Sequence, residues 1–151
     1  MAILHIVTTK DNEEFLRKKS REVTEITPRI LTLLDDMVET MRYANGCGLA
    51  AVQVGVLRRI VVIETDEGLF EFINPKIIAK SGVQRGEEGC LSLPGEWGTT
   101  KRPEHVTVRA LNRFGEVIEV TGHGLLAKAM CHELDHLDGI LYTDIAEGVD
   151  R

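Results

Sequence analysis

Apolar residues along the chain change from helical spacing to alternation and back, and the changes divide the sequence into elements. Ile30, Leu33, Leu34, Met37, Val38 and Met41 recur at three and four residues, which stacks them on one face of an α-helix. Thr27-Pro28 supplies a cap and a first-turn proline, and Asn45-Gly46 supplies the stop. Residues 11–20 are polar around Phe15 and Leu16, a short amphipathic helix at best. Residues 46–55 are small and glycine-punctuated, with Gln53 the one polar side chain, which permits close approach of the backbone to another group; the alternative is a helix-to-strand turn packed in the core. The β-branched run Ile60-Val61-Val62-Ile63 and the alternation from Leu69 to Ile73 read as strands, with Ile77-Ile78-Ala79 as a third. Residues 85–95 read as loop, because Gly86, Gly89, Pro94 and Gly95 bracket only a short apolar piece. Val106, Val108 and Ala110 alternate, Asn112 to Gly115 turns, and Val117 to Val120 returns, predicting a hairpin. Helical spacing resumes with Leu125, Leu126, Ala129, Met130 and Leu137, and Gly139 stops it. The predicted fold is α+β, with mixed or antiparallel sheets packed around this last helix, in one domain over residues 1–151.

Composition narrows the classes. With 43% hydrophobic and 28% charged residues in 151, the chain suits a globular protein with a real core. A net charge of −6 argues against a surface built for nucleic-acid phosphates, so no direct nucleic-acid partner is expected. The first residues lack a signal peptide's basic and apolar regions, and no stretch approaches the roughly 18 apolar residues of a membrane span. The cytoplasm is therefore expected, and in that reducing setting Cys47, Cys90 and Cys131 are free thiols or metal ligands.

The last helix carries Cys131-His132-Glu133-Leu134-Asp135-His136. His132 and His136 lie one turn apart on one face, with Glu133 rotated roughly 100° from His132, which suits two metal ligands beside a base. A third ligand is then required. The extended motif in which a third histidine follows a glycine matches through Gly139 but has Tyr142 at the ligand position. Nine residues after Tyr142 leave no room for a later helix bearing a ligating glutamate. Upstream, Cys90, Cys47, His105 and His123 remain. Cys90, in its tight glycine-flanked segment, is the choice, since a thiolate with two imidazoles and an open fourth position makes a catalytic rather than a closed structural site.

Three segments together, Gly46-Cys47-Gly48-Leu49-Ala50-Ala51-Val52-Gln53, Glu88-Gly89-Cys90-Leu91-Ser92 and His132-Glu133-Leu134-Asp135-His136, resemble the signature motifs of bacterial peptide deformylases in order and approximate spacing. The resemblance implies a metal-dependent hydrolase that removes the formyl group from the N-terminal formyl-methionine of new polypeptides, releasing formate. Carried over, it makes Cys90, His132 and His136 the metal ligands and Glu133 the general acid/base. The Gln53 side chain and the Leu91 N–H become donors to the substrate oxygen. Gly46, Cys47 and Gly48 line the cleft, and Leu125, Ala129 and Cys47 form an apolar methionine pocket. The implied cofactor is one divalent ion, Fe(II) in the cell, with Zn, Ni or Co in isolated protein. The implied partners are formyl-methionyl nascent peptides and, transiently, the ribosome, although the tail is shorter than the final helix some members use there.

Such members often carry a basic residue a few positions after Cys-Leu-Ser, where this chain has Glu96-Trp97-Gly98. Glu88 and Asp135 are candidate partners behind the ligands, with Arg102 placed to pair with Glu88. The rival reading is a metal-containing binder of N-terminal peptides that does not hydrolyse them, but such a protein has no use for Glu133.

Overall fold

The computed structural model describes residues 2–150. In chain order they form α1 (Thr9–Leu16), α2 (Pro28–Tyr43), β1 (Gly48–Ala50), a 3-10 turn (Ala51–Val54), β2 (Ile60–Thr65), β3 (Gly68–Ser81), β4 (Gln84–Cys90) and β5 (Leu93–Arg102). Then follow β6 (His105–Leu111), β7 (Val117–His123), α3 (Leu125–Leu137), a second 3-10 turn (Tyr142–Asp144) and β8 (Gly148–Asp150). One sheet has the order β1-β2-β3-β6-β7 and the other β4-β5-β8, with antiparallel pairing throughout both. This is the predicted α+β class in its antiparallel form.

The run Ile60-Val61-Val62-Ile63 does not alternate because β2 is covered on both faces. Val61 and Ile63 share a core with Leu126, Met130, Leu134 and Leu137 of α3, while Ile60 and Val62 share one with Leu34, Met37 and Met41 of α2. A strand held between two helical layers takes β-branched residues at every position. At about 25 cal/mol per Å² of apolar surface, burying such side chains contributes roughly 1.5–3 kcal/mol each, so this strand anchors both helices.

Thr27 caps α2, its hydroxyl accepting from the Ile30 N–H at 3.3 Å, with Pro28 in the first turn. The end of α3 is fixed more firmly. Ile140 N–H donates to Asp135 C=O and Gly139 N–H to His136 C=O, with Gly139 at φ 75°, a left-handed stop that glycine adopts without strain. Arg59 also donates to the Leu137 carbonyl at 3.1 Å. The helix that carries both histidines is thus tied at its C-terminal end to the loop before β2.

Four expectations need correction. Residues 85–95 are not loop: apart from the turn at Leu91-Ser92 they fall in β4 and β5, paired from Gln84↔Arg102 to Cys90↔Leu93 with a register shift at Gly89/Cys90. The buried positions of β5 are Leu93, Gly98, Thr100 and Arg102, too polar and too small to register as hydrophobic alternation. Gly98 is there for space, since a Cβ would lie 2.5 Å from the Gly148 carbonyl oxygen. Second, Leu69–Ile73 and Ile77–Ala79 belong to the single strand β3. The Asn74-Pro75 break is an irregularity in that strand, with Asn74 at φ 53° and its amide bonded to both backbone groups of Val23 at 2.8 and 2.9 Å. Third, residues 46–55 contain β1 and a 3-10 turn rather than a simple turn. Fourth, the first helix starts earlier and ends sooner than residues 11–20, because Thr8 and Asp11 form a capping box at its start.

Candidate metal centre

β1 is an edge strand of one sheet and β4 of the other, and residues of both, with residues of α3, line one cleft. The cleft so formed has a volume of about 350 Å³. Gly46, Cys47, Gly48 and Gln53 line one wall, Gly89, Cys90 and Leu91 the other, and Leu125, Ala129, His132 and Glu133 the floor. Every residue singled out for ligation, catalysis or substrate binding therefore lies at this cleft, except that His136 sits one turn deeper on α3.

Ligand atoms of Cys90, His132 and His136 all lie within 4.8 Å of one another, the only such group of three or more among the described residues. Cys90 Sγ is 3.2 Å from His136 Nε2, and the two imidazole rings are 5.0 Å apart between centroids. Of the other candidate ligands, His105 and His123 face each other on the β6–β7 hairpin, remote from this group, and Cys47 lies in the cleft wall without joining it. Cys131, next to a ligand in sequence, is buried in the core.

Behind the ligands runs a chain of buried charge. His132 Nδ1 is bonded to Glu88 Oε2, which turns its other nitrogen toward Cys90. Arg102 grips Glu88 with two hydrogen bonds, at 3.0 and 2.7 Å, and reaches Asp135 at 2.8 Å; Thr100 donates to Glu88 at 2.8 Å. Burial alone would raise the Glu88 pKa, but hydrogen bonds from His132 and Arg102 outweigh it and hold it at about 2. The carboxylate stays ionised, fixing the His132 ring and its tautomer. Burial and the neighbouring His132 hold His136 well below its ordinary value, so its imidazole is neutral and able to ligate.

These residues fit a divalent cation. One thiol and two imidazoles converge on one point at ligation spacing. Burial lowers the His132 pKa, but Glu133, Cys90 and Glu88 around it outweigh that and push it well above the ordinary value, so this centre attracts positive charge. Glu133 is fully inside, one carboxylate oxygen without any hydrogen-bond partner, and burial pushes its pKa up to about 7. It is a poised base with an unused acceptor, on a residue that lines the cleft. Gly48 makes room for it, since a Cβ there would lie 2.5 Å from Glu133 Oε2. Gln53 takes the Ala50 N–H on its carbonyl oxygen at 2.9 Å, so its amide nitrogen points to Ser92 Oγ at 3.0 Å and Cys90 Sγ at 3.5 Å.

The family model described as polypeptide deformylase matches residues 3–151. The chain belongs to the peptide deformylase family. It is 61% identical over 135 residues to the peptide deformylase of Acetivibrio thermocellus, covering 89% of this chain and 79% of that one. To the peptide deformylase of Alkaliphilus metalliredigens it is 57% identical over 144 residues, covering 95% and 97%. The crystal structure of a peptide deformylase from Legionella pneumophila superposes with a TM-score of 0.91 at 42% identity, over 96% of this chain and 86% of that one. Peptide deformylases are metal-dependent hydrolases that remove the N-formyl group from nascent peptides, and that is this chain's activity.

Sequence reasoning overlooked Thr100 and Lys128. Thr100 gave no signal, being one threonine in a stretch for which the sequence predicts no element; Lys128 was readable as a charge on the same helical face as Leu125 and His132. For Arg102, replacement by methionine is expected to weaken metal binding by roughly 10–100-fold, as loss of such outer support commonly does. Competition with a chelator measures this, and an unchanged affinity would show that Glu88 and Thr100 orient His132 unaided.

Proposed function

We propose that Cys90, His132 and His136 hold one divalent ion, Fe(II) in the cell, and that Glu133 handles the proton in hydrolysis of the formyl amide. The observation that carries this reading is the convergence of the three ligand atoms beside a buried carboxylate with a free oxygen. Zinc, nickel or cobalt suits the same donors, a soft thiolate with two imidazoles. When bound, such an ion supplies Lewis acidity that activates water and polarises a carbonyl. Glu133 takes a proton from the attacking water and delivers it to the departing amine nitrogen, so the formyl carbon leaves as formate and the peptide gains a free amino terminus. The Gln53 amide nitrogen and the Leu91 N–H donate to the oxygen as negative charge builds on it. Gly46, Cys47 and Gly48 keep that end of the cleft narrow enough for a formyl group, while Leu125 and Ala129 with Cys47 offer the methionine side chain an apolar wall.

The substrate in this reading is a formyl-methionyl nascent peptide, and contact with the ribosome follows from where such chains are held. Residues 1–151 then work as one catalytic domain in the cytoplasm, a reading supported by α3, which packs on one sheet and bonds to the other. No helix of the described residues is long and apolar enough to cross a membrane. Protein loaded anaerobically with Fe(II) or nickel is expected to release formate from formyl-methionyl-alanine, in step with free amine. Tight peptide binding without formate would favour the non-hydrolytic binder instead.

The pH dependence follows from Glu133. A base works only when ionised, so kcat/KM falls as pH drops through its pKa, held up to about 7 by burial. A bound cation favours the carboxylate and moves this limb toward lower pH. An acid limb at or below about pH 7 is expected, and it is expected to vanish from the residual rate of Glu133→Gln.

A further inference from the structure

The α3 residues that face the cleft form one helical stripe, Leu125, Lys128, Ala129, His132 and Glu133. Four of them already have a place in the metal centre or the apolar wall. Lys128 has none, and among the described residues it is the only lysine or arginine that lines the cleft. Its ammonium donates to the Glu87 carbonyl oxygen at 2.9 Å, reaching from α3 across to β4. A lysine ammonium has three N–H donors, and one carbonyl leaves two of them and the full charge without an anionic partner among the described residues.

Its position along the cleft can be measured in peptide units. Glu87 precedes Cys90 by three residues on β4, about 10 Å at roughly 3.3 Å per residue. Beyond Cys90 the chain turns into β5, so an extended peptide following β4 away from the metal centre runs toward Glu87. With its formyl group at Cys90, such a peptide brings the first or second residue after methionine level with the Lys128 ammonium. β4 is also an edge strand, leaving one side open for an extended chain.

Resting on the reading of this cleft as the formyl-peptide site, we propose that Lys128 is a substrate-selecting residue. It binds a carboxylate that the peptide carries on one of the two residues after its methionine. The carboxylate comes from an acidic side chain or, in a tripeptide, from the free C-terminus. Glu87 also lines the cleft, but its side chain is exposed, and Thr99 is its cross-strand partner on β5. Lys128 is half-buried on the floor, where a bound carboxylate is less screened.

The test compares kcat/KM for pairs of formylated tripeptides on one preparation of metal-loaded protein, because a ratio does not depend on the fraction of active enzyme. Amidated formyl-Met-Ala-Asp against amidated formyl-Met-Ala-Asn reads the side chain. Formyl-Met-Ala-Ser as free acid against its amide reads the terminus. The wild type is expected to favour the carboxylate in at least one pair by roughly 5-fold, the upper range for a partly exposed ion pair, mainly through KM and less so at high salt. Lys128→Met is expected to bring that ratio to about one, Lys128→Arg to restore it and Lys128→Glu to invert it. If Lys128 only braces β4 against α3, every variant keeps the wild-type ratio, and that result overturns the proposal. Absence of turnover with any formylated peptide would overturn the reading of the cleft, and the role of Lys128 with it.

Discussion

Glu133→Ala is expected to retain about one divalent ion per chain while kcat falls by roughly 10²–10⁴-fold, the usual contribution of a positioned acid/base. Retention is expected because the three converging ligand atoms belong to other residues. Loss is expected because the buried carboxylates beside the ligands are already committed, Glu88 to His132, Arg102 and Thr100, and Asp135 to Arg102, while Glu87 is exposed and three residues along β4 from Cys90. Removing a buried acid whose oxygen has no partner is also tolerable for the fold, since Glu133 costs desolvation without a hydrogen bond in return. Glu133→Gln separates shape from charge, keeping the packing against Gly48 while abolishing the base. Metal analysis and a formate assay on the same samples check this, and undiminished turnover in either variant would assign the proton to another group.

The parts of this architecture legible in the sequence are those where one physical signal dominates. The α2 stripe from Ile30 to Met41 is a one-sided amphipathic helix, and its predicted cap and stop both occur in the structure. His132 and His136 needed only the helical period to be placed together. Joining Cys90 to them took a different kind of inference, because nothing local in Glu88-Gly89-Cys90 points to His132, 42 residues after Cys90. An incomplete coordination shell called for a partner, the tight glycine-flanked segment made Cys90 the choice, and the three-motif resemblance implied the same residue. The β4–β5 hairpin escaped because its buried face is made of Gly98, Thr100 and Arg102, which pack by filling small spaces and satisfying Glu88 rather than by burying hydrocarbon. The strand that presents the thiol is thus written in polar residues and glycines that sequence rules assign to loops. The pairing of Arg102 with Glu88, 14 residues before it, is expected from the sequence, but its reach to Asp135, 33 residues after it, shows only in three dimensions.

Cys90→Ala is expected to lose the metal and, with it, nearly all turnover. Apparent zinc-binding energies of about 10–16 kcal/mol spread over four ligands correspond to roughly 3 kcal/mol for each. Losing one then weakens affinity at least about 100-fold at about 1.4 kcal/mol per factor of ten. The fold is expected to survive, because the Cys90 side chain is only partly buried and Gln53 keeps Ser92 as an acceptor when the sulfur is gone. Circular dichroism checks that survival, and chelator competition reads the affinity. Cys90→Ser makes the sharper comparison, for a hydroxyl occupies the same place but is a neutral, harder donor that suits iron(II) and zinc less well than thiolate. In protein loaded with Co(II), the thiolate-to-metal absorption of the wild type is expected to disappear in Cys90→Ser. If that band persists with unchanged affinity, the sulfur ligand is another thiol, and Cys47, the other cysteine in the cleft wall, becomes the residue to replace next.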